Sequence, residues 1–530
     1  MTDNFLLMPI PPTPNGRLHL GHIAGPYLRM DALARHLRSL GHAVTTVSAT
    51  DDFDSYVLWR ALQEGRSPEQ VCRDYNRQIK QDLAALDIEL ADFSNVVSGP
   101  QADVHKHGAQ AAVARLVDQG STISIVEEVL YSPSSLRYIA GAWLVGHCPR
   151  CSSSAAGYFC EACGAHFKPE AMRQPQDRLG ESPLERRQVE SLFLRVSDVE
   201  RLIGDIGALG APAAFIDVVR RHVTAEGPLF RLTAPGTWGV SWTPDRFGNP
   251  RVLFEGGWEY ALSCGDQYAH ATGQGHNPFT TASQVKTVIS FGIDNAVLLL
   301  FGTMALLSEL PNGRPFDRVL TNYFLNLEGS KFSTSRRHVI WSSDIVNNTG
   351  VTSDAVRYFL ARKTPEQRTT NFDIDEFVEC VNDFLVTRLQ TMALTALQSV
   401  EGVPPPASAD AREQIEATVR QQKAAFDPTC TSLTQAVDLI EGWIELRRGT
   451  AARLLDEYRW LQGLAFLAAP IMPRFSSRLW SALGLDGLPT TEGLHRSGLP
   501  RPWQGQLPFG PISRRPLALC LPASLAAAAE

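Results

Sequence analysis

The first fifty residues place an amphipathic segment between two apolar ones, an order that few folds accept. Residues 4–10 predict a short strand, which ends in the proline- and glycine-rich turn PPTPNGRLH. Residues 20–40 then repeat apolar side chains at helical spacing, with one face formed by Ile23, Tyr27, Leu28, Leu33 and Leu37. The segment GHAVTTVSATDD follows as a second strand that ends in carboxylates. This βαβ unit predicts an α/β fold with a parallel sheet, which binds ligands beyond the carboxyl ends of its strands.

Length and composition set broad limits on the architecture and the partners. The 530 residues, 44% apolar and 20% charged, predict a globular protein of about two to four domains. The net charge of -7 argues against a broad nucleic-acid-binding surface but allows a local basic groove. The first residues lack a basic segment, and no apolar run reaches about 18 residues, so neither a signal peptide nor a membrane span is expected. We therefore expect a cytoplasmic protein with no membrane partner.

Changes of pattern divide the chain into regions. The strand-and-helix pattern of the sheet stops near residue 115 and resumes near residue 231, so the residues between them are read as an insertion. Within it, PLERRQVESLFLRVSDVERLI is expected to form a charged helix. The predicted regions are a first half of the sheet (1–114), the insertion (115–230), a second half of the sheet (231–325), a loop region (326–373), a helical bundle (374–490) and a proline- and arginine-rich tail (491–530).

Four of the nine cysteines lie in two C-x2-C pairs eight residues apart, Cys148 with Cys151 and Cys160 with Cys163. Each pair can place two thiolates on one ion, and four thiolates satisfy tetrahedral Zn²⁺ with no open position. This spacing predicts one structural zinc ion in a reducing compartment. Disulfides or unrelated cysteines are the alternative interpretation.

Two short motifs are suited to phosphate chemistry. The turn before the first helix carries His19 and His22 in HLGH, where the helix amino end favours anions. The segment GSKFSTS places Lys331 on a glycine-hinged loop, with hydroxyl groups on Ser333 and Thr334. Taken separately, the first motif is also compatible with an ordinary histidine pair, and the second with a solvated polar loop.

Together these motifs resemble the class I aminoacyl-tRNA synthetases, and among them the methionyl-tRNA synthetases. HLGH and KFSTS are similar to the two signatures of that family, and CPRCSSSAAGYFCEACGAHFKPEAM is similar to its zinc knuckle. FDIDEFVECVNDFLVTRL is similar to the start of its helical domain. The resemblance covers about residues 4–485 and implies a Rossmann-type catalytic sheet with a zinc-knuckle insertion (148–163), a stem-contact region after the KFSTS loop, and a C-terminal helical bundle of the anticodon-binding type.

The resemblance also implies the site residues. ATP with Mg²⁺ would be bound by Asn15, His19, Gly21, His22, Gly292, Asp294, Leu325 and Lys331. His19, His22, Lys331, Ser333 and Thr334 would stabilise the phosphates during the reaction, and Asp51 would bind the α-ammonium group of the amino acid. The amino-acid pocket is expected at Pro11, Thr13, Asp51, Leu253, Tyr260, Leu299 and Thr303. A metal ion bound by DDFD at residues 51–54 is the alternative interpretation of these carboxylates.

Three departures from the family pattern change the expected substrate. Thr334 stands where the family has a second lysine. The pocket positions lack the tyrosine, tryptophans and histidine that enclose methionine, with Tyr260 alone retained, and Glu255-Gly256-Gly257 replaces an aspartate-alanine-proline turn. In the bundle, Thr391 and Thr395 stand at positions where anticodon-reading residues are expected.

We therefore expect a divergent paralogue: an ATP-dependent ligase that forms an aminoacyl adenylate from an amino acid other than methionine. It would transfer the aminoacyl group to a hydroxyl or N-hydroxyl of a small molecule in specialised biosynthesis, with a carrier such as a cupin protein as a partner. One alternative is a methionyl-tRNA synthetase that charges tRNA. The second is a catalytically inactive synthetase-like binding module, against which the retained phosphate-binding residues argue.

Overall fold

The structure is a computed structural model, and it describes residues 2–181, 183–254, 256–333, 337–404, 406–447 and 455–526. Thr334, predicted above as a catalytic residue, and Glu255 lie outside the described residues.

The strands follow one another in chain order as β1 (Asn4–Pro9), β2 (Ala43–Thr50), β3 (Asp92–Asn95), β4 (Thr122–Ser132), β5 (Arg137–Ile139), β6 (Leu144–His147), β7 (Ser154–Ala156), β8 (Arg173–Asp177), β9 (Glu185–Arg195), β10 (Leu229–Arg231), β11 (Thr233–Pro235), β12 (Ser241–Trp242), β13 (Arg251–Leu253), β14 (Lys286–Gly292), β15 (Arg318–Asn322), β16 (Leu325–Leu327), β17 (Ser330–Lys331) and β18 (Thr370–Phe372).

The α-helices are α1 (Leu20–His22), α2 (Leu28–Ser39), α3 (Ser55–Glu64), α4 (Pro68–Ala85), α5 (Ala102–Asp118), α6 (Val199–Ala208), α7 (Ala213–Glu226), α8 (Trp258–Thr272), α9 (Met304–Glu309), α10 (Ser342–Asn347), α11 (Ser353–Arg362), α12 (Ile374–Glu379), α13 (Thr391–Ser399), α14 (Ala409–Ala425), α15 (Leu433–Leu446), α16 (Glu457–Ala468), α17 (Pro473–Ala482), α18 (Arg514–Leu517) and α19 (Ala523–Ala526). Segments Ile23–Tyr27, Val297–Thr303 and Cys380–Gln390 are π-helical, and single 3₁₀ turns occur at Gly141–Trp143, Pro169–Ala171, Ile293–Asn295 and Gly493–His495.

The central sheet confirms the predicted α/β fold. Its five strands are parallel and run in the order β15-β14-β1-β2-β3, so strands from both halves of the chain complete one sheet. Leu6 of β1 lies opposite Thr287 on one side and Thr45 on the other. Because Phe5 and Leu6 point to opposite faces, they belong to two separate hydrophobic clusters, and helices cover the sheet on both sides.

The helix predicted over residues 20–40 is present but interrupted. A π-helical segment at Ile23–Tyr27 separates α1 from α2, and it contains Pro26, which lacks an amide proton. Gly25 precedes it, at a point where a Cβ atom would lie 2.9 Å from Nδ2 of Asn322. The bend therefore brings the helix close to the end of β15.

The prediction of a charged helix beginning in PLERRQVESLFL is wrong. Residues Glu185–Arg195 form β9, which pairs antiparallel with β4 from Tyr131 opposite Glu185 to Leu194 opposite Thr122. The charged side chains of its first half face solvent, whereas Val189 and Leu194 are buried. The helix begins only at Val199, after Asp198 caps it. Pairing with a strand more than fifty residues earlier therefore decides the structure, and local sequence does not show that pairing.

Two buried arginines join the helical bundle to the sheet. Arg29 of α2 donates to the main-chain oxygens of Thr431 and Thr321 at 2.7 and 2.9 Å. Arg357 of α11 forms an ion pair with Asp31 at 2.7 Å and donates to the main-chain oxygen of Ile471 at 2.8 Å. These contacts satisfy buried carbonyl groups at both sides of the junction and fix the bundle against the half of the molecule that contains the central sheet.

The bundle and the tail share one core. Trp443 and Trp460 each donate the indole N–H to the other residue's main-chain oxygen, at 2.9 and 3.0 Å, and both are buried. The tail is more than a surface segment, because Phe509 is buried and Ile512 exchanges two hydrogen bonds with Asn382. Across the part of the chain that the structure describes, no helix has the length and apolar character needed to span a membrane.

Candidate active site

The carboxyl end of the central sheet collects the predicted site residues. The turn after β1 leads to His19 and His22, Asp51 follows β2, and Asp294 follows β14. Lys331 comes from β17, which pairs with β16 beyond the end of β15. The parallel order of the strands therefore brings together side chains that lie up to three hundred residues apart.

His19 and His22 form one stacked unit. Their ring centroids lie 3.7 Å apart, and Phe332 of the KFSTS loop stacks on the other side of His19 at 4.8 Å. A Cβ atom on Gly21 would come within 3.0 Å of the His19 ring and 3.3 Å of Phe332, so this close packing requires glycine. The two signature segments are thus in direct contact.

Both histidines are neutral in this arrangement. Burial lowers the pKa of His22 to about 4 and holds the pKa of His19 well below its usual value. The main-chain N–H of His19 donates to Nδ1 of His22 at 3.2 Å, so Nε2 of His22 carries the proton and can donate to an oxygen. Nδ1 of His19 is buried and has no partner among the described residues. The pair can therefore offer uncharged hydrogen bonds to phosphate oxygens.

Lys331 is held by the zinc-knuckle region. Its Nζ atom lies 2.5 Å from Oε2 of Glu161 and 4.5 Å from the ring centroid of Phe324. Ser333 exchanges main-chain hydrogen bonds with His338 at 3.0 Å, which closes the end of the loop. The structure thus brings Lys331 and Ser333 to the site, whereas the predicted role of Thr334 stays a prediction.

The environment of Asp51 favours the binding of a cation. The hydroxyl of Tyr260 donates to its Oδ1 at 2.9 Å, and its main-chain N–H donates to the main-chain oxygen of Pro12 at 3.0 Å. Burial, followed by repulsion from Asp54 and Glu259, holds the pKa of Asp51 well above its usual range. Among the described residues Asp51 has no ion-pair partner. An ammonium group placed beside it would lower that pKa and be bound strongly.

The residues predicted for the nucleoside lie beside this carboxylate edge. Burial, then the charge of Glu161, raises the pKa of Asp294 to about 6. A Cβ atom on Gly292 would lie 2.6 Å from Oδ1 of Asp294, so glycine lets the carboxylate fold back over the turn. The main-chain oxygen of Asn15 accepts from Arg60 at 2.7 Å, and Leu325 is buried in β16.

The predicted amino-acid pocket is formed by α8, the π-helical segment Val297–Thr303 and the turn after β1. Thr303 donates to the main-chain oxygen of Gly256 at 2.9 Å, and a Cβ atom on Gly257 would lie 2.6 Å from Cδ2 of Leu299. Leu253 is buried in β13, Pro11 is partly buried, and Thr13 donates to Asp54 at 2.8 Å.

Two aromatic residues outside the predicted pocket set close this region. A Cβ atom on Gly256 would lie 2.6 Å from Cδ1 of Trp258 and 2.8 Å from Cζ of Phe230, and one on Gly302 would lie 2.2 Å from the Phe230 ring. The aromatic surface absent at positions 253, 299 and 303 is thus supplied by α8 and by β10 of the insertion. The glycines at 256 and 302 were the available signal, but they do not show which ring they face.

The four knuckle cysteines fit a metal ion. Their Sγ atoms all lie within 4.8 Å of one another, with 3.9 Å from Cys148 to Cys163 and 3.6 Å from Cys151 to Cys160. Four convergent thiols are compatible with a closed, structural Zn²⁺ site. The residue after the last knuckle cysteine packs against the turn at residues 292–294, which is predicted to bind the nucleoside and is called the nucleoside turn below. A Cβ atom on Gly164 would lie 3.0 Å from the main-chain oxygen of Ile293 in this turn.

Comparisons with known proteins all point to one family of tRNA synthetases. A family model described as tRNA synthetases class I (M) matches residues 8–396. The methionine–tRNA ligase of Roseiflexus sp. (strain RS-1) is 27% identical over 549 residues, covering 92% of this chain and 88% of that protein. The enzyme of the same name from Methanopyrus kandleri is 26% identical and covers 89% and 74% of the two chains.

Solved structures show the same architecture. Mycobacterium tuberculosis methionyl-tRNA synthetase in complex with methionyl-adenylate superimposes with a TM-score of 0.71 at 19% identity, covering 96% of this chain and 100% of that chain. Its apo form gives a TM-score of 0.65 at 17% identity, with 97% and 99% coverage. At these identities the likeness concerns the fold.

Proposed function

The chain belongs to the class I (M) family of tRNA synthetases, and from that membership we propose that it condenses an amino acid with ATP to an aminoacyl adenylate and pyrophosphate. Such a ligase uses ATP with Mg²⁺. The observation that carries the proposal is the placement of the histidine pair and Asp51 after the neighbouring parallel strands β1 and β2, with Lys331 close enough to act on the pKa of His19.

Each group has a role that follows from its surroundings. Asp51, oriented by the hydroxyl of Tyr260, binds the α-ammonium group and so directs the amino-acid carboxylate toward the phosphates. The attacking carboxylate oxygen forms a bond to the α-phosphorus, and the bond from that phosphorus to the pyrophosphate oxygen breaks. His22 and His19 donate to the phosphate oxygens, and Lys331 offsets charge on the leaving pyrophosphate. No covalent bond to the protein is needed.

The names of the relatives support methionine as the amino acid and tRNA as the acceptor. The Roseiflexus and Methanopyrus proteins are methionine–tRNA ligases, and they cover this chain almost from end to end. Phe230 and Trp258 rebuild an aromatic wall beside Gly256, which is compatible with an apolar side chain. Methionyl transfer to tRNA is therefore the first candidate.

Two observations favour a second candidate, an amino acid other than methionine and a small hydroxyl or N-hydroxyl acceptor. Leu253, Leu299 and Thr303 leave the pocket without the side chains that enclose methionine in the family. Residues 374–490 carry 15 acidic and 10 basic side chains, a balance that repels RNA phosphates where the family binds an anticodon. A rearranged pocket and an acidic bundle together argue for altered specificity.

Exchange of labelled pyrophosphate into ATP, measured across a panel of amino acids, tests the proposal. Methionine-dependent exchange followed by acylation of total tRNA supports the first candidate. Exchange with another amino acid, transfer to hydroxylamine and no acylation of tRNA support the second. Absence of exchange with every amino acid contradicts adenylate formation. Asp51→Asn serves as the negative control for amino-acid binding, because it removes the ammonium-binding charge and keeps the shape of the side chain.

A further inference from the structure

A small cavity lies where the knuckle, the inserted sheet, α7 and the start of the π-helical segment meet. Its volume is about 40 Å³. We call it the histidine cavity and define it by the lining residues Tyr158, His166, Phe193, His222, Phe230 and Val297. A buried water needs about 10–15 Å³ by this measure, so the cavity has room for about three to four non-hydrogen atoms.

Three buried polar atoms without partners line this one cavity. They are the hydroxyl of Tyr158, Nε2 of His166 and Nδ1 of His222, and each residue is at most 8% exposed. A buried polar group without a hydrogen bond costs about 1–3 kcal/mol, so three around one space are unusual unless something occupies it. The unsatisfied polar atoms in the walls are therefore typical of a binding site.

The two ring nitrogens are hydrogen-bond acceptors. Nε2 of His222 lies 3.2 Å from the main-chain oxygen of Leu229, and because a carbonyl only accepts, Nε2 must carry the proton. The other ring nitrogen of His166 forms a hydrogen bond with the main chain of Asp294. Burial lowers the pKa of His166 to about 3 and of His222 to about 4, so both rings are neutral and keep one bare nitrogen. An occupant must supply donors.

Among the charged side chains at the cavity walls, Lys168 and Glu226 are partly exposed, and Glu226 pairs with Arg150 at 3.4 Å. The buried charge is that of Arg231. Arg231 donates to both carboxylate oxygens of Glu127, at 2.7 and 2.5 Å, and its guanidinium lies 4.7 Å from the ring centroids of Tyr158 and Phe193. This fixed cation repels an ammonium group, and an anion would meet two acceptor nitrogens. An uncharged donor group fits both conditions.

The ring of Phe230 lies between the histidine cavity and two glycines of the predicted amino-acid pocket. Phe230 lines the cavity and also occupies the space between Gly256 and Gly302. The main-chain oxygen of Gly256 accepts from Thr303 on the pocket side. His166 binds the main chain of Asp294, so the cavity also touches the nucleoside turn. A molecule in the cavity would thus contact residues that adjoin both the predicted amino-acid pocket and the predicted nucleoside turn.

We propose that the histidine cavity binds a small uncharged group with at least two N–H or O–H donors, such as a primary amide. The group has two possible sources. It is either the side-chain end of the activated amino acid, a role that rests on the proposed adenylation, or a free small molecule that binds behind Phe230.

Tyr158→Phe is the sharpest variant, because it removes an unpartnered hydroxyl and leaves the ring in place. Tyr138→Phe is the matched control, since the Tyr138 hydroxyl already bonds to Asn249 at 2.6 Å and lies outside the cavity. Acetamide is the free probe, measured by calorimetric binding to the full chain. Glutamine against methionine, in pyrophosphate exchange, is the side-chain probe.

Binding of acetamide identifies a free ligand, and exchange that favours glutamine identifies the substrate side chain. In either case Tyr158→Phe should weaken the response by about three- to tenfold, the effect of one hydrogen bond, and Tyr138→Phe should not. The proposal is overturned if acetamide does not bind and glutamine supports no exchange. It is also overturned if Tyr158→Phe only raises the melting temperature, which would mean that the cavity holds water or nothing. If no amino acid supports exchange, the adenylation proposal fails while the acetamide result still decides this one.

Discussion

The Nζ atom of Lys331 lies 2.5 Å from Oε2 of Glu161, a residue between the third and fourth cysteines of the knuckle. The lysine of the second signature is therefore neutralised by a carboxylate from the insertion before any phosphate is present. The charge of Glu161 also raises the pKa of Asp294, so the knuckle acts electrostatically on the nucleoside turn. Under the proposed function, ATP has to displace this ion pair to bind Lys331.

Glu161→Gln should lower the KM for ATP and leave kcat nearly unchanged. The carboxylate competes with phosphate for Lys331, but the pair is exposed, with 42% and 56% of the side chains accessible. Its removal should therefore change KM by up to about fivefold, since exposed pairs contribute about 0.2–1 kcal/mol. Steady-state kinetics measures this, with Glu170→Gln as the control, because Glu170 is another exposed carboxylate of the insertion. A higher KM in Glu161→Gln would show that the carboxylate positions the lysine instead of competing for it.

Thr334→Lys should raise or preserve pyrophosphate exchange. A second ammonium group in this loop would stabilise the leaving pyrophosphate, where one preorganised contact contributes about 10²–10³ in rate. Thr334→Gln supplies length without charge and should stay at the wild-type rate. Exchange that falls in the lysine variant, with the glutamine variant unaffected, would show that the loop does not direct position 334 toward the phosphates.

Loss of the metal should weaken ATP binding as well as the knuckle. We expect about one zinc per chain by elemental analysis and none in Cys160→Ser. Because His166 belongs to the same segment and bonds to the main chain of Asp294, the serine variant should raise the KM for ATP by about fivefold, the effect of one lost hydrogen bond. Cys380→Ser, a cysteine of the bundle, should change neither quantity. Full zinc content in Cys160→Ser would contradict the four-thiolate site.

Glu259 should contribute a loss of stability as the pH rises from about 4.5 to 8. Burial raises the pKa of Glu259 from 4.5 to about 8. In this window the unfolded chain has already released the proton while the folded chain retains it, so rising pH favours unfolding. Glu259→Gln should flatten the dependence of the melting temperature on pH, whereas Glu200→Gln, on the exposed face of α6, should leave it as in wild type. An unchanged slope in Glu259→Gln would mean that another group titrates there.

The sequence predicts well whatever depends on short spacing. The βαβ unit, the four-cysteine cluster and the placement of His19 and Asp51 at strand ends each follow from a pattern within about fifty residues. The structure confirms the parallel sheet and brings the four cysteines together. The strand-end positions of His19 and Asp51 follow from parallel topology alone.

Features that depend on distant partners could not be predicted in the same way. The charged residues of strand β9 predict a helix, because the local sequence does not show the pairing with β4. Phe230 reaches the pocket from the inserted sheet, and Glu161 reaches Lys331 across 170 residues. Single-sequence patterns carry no information on such contacts, so the altered pocket could be recognised but not its replacement walls.

Pyrophosphate exchange in wild type and Lys331→Ala decides whether the chain forms an aminoacyl adenylate and whether the KFSTS loop takes part in that reaction. We expect amino-acid-dependent exchange in wild type and a loss of at least about 10² in Lys331→Ala, because the charge that stabilises the leaving group is gone. Circular dichroism on both proteins verifies that the fold is intact. Equal exchange in the two proteins would contradict the assignment of the KFSTS loop, and no exchange in wild type with any amino acid would contradict adenylate formation itself.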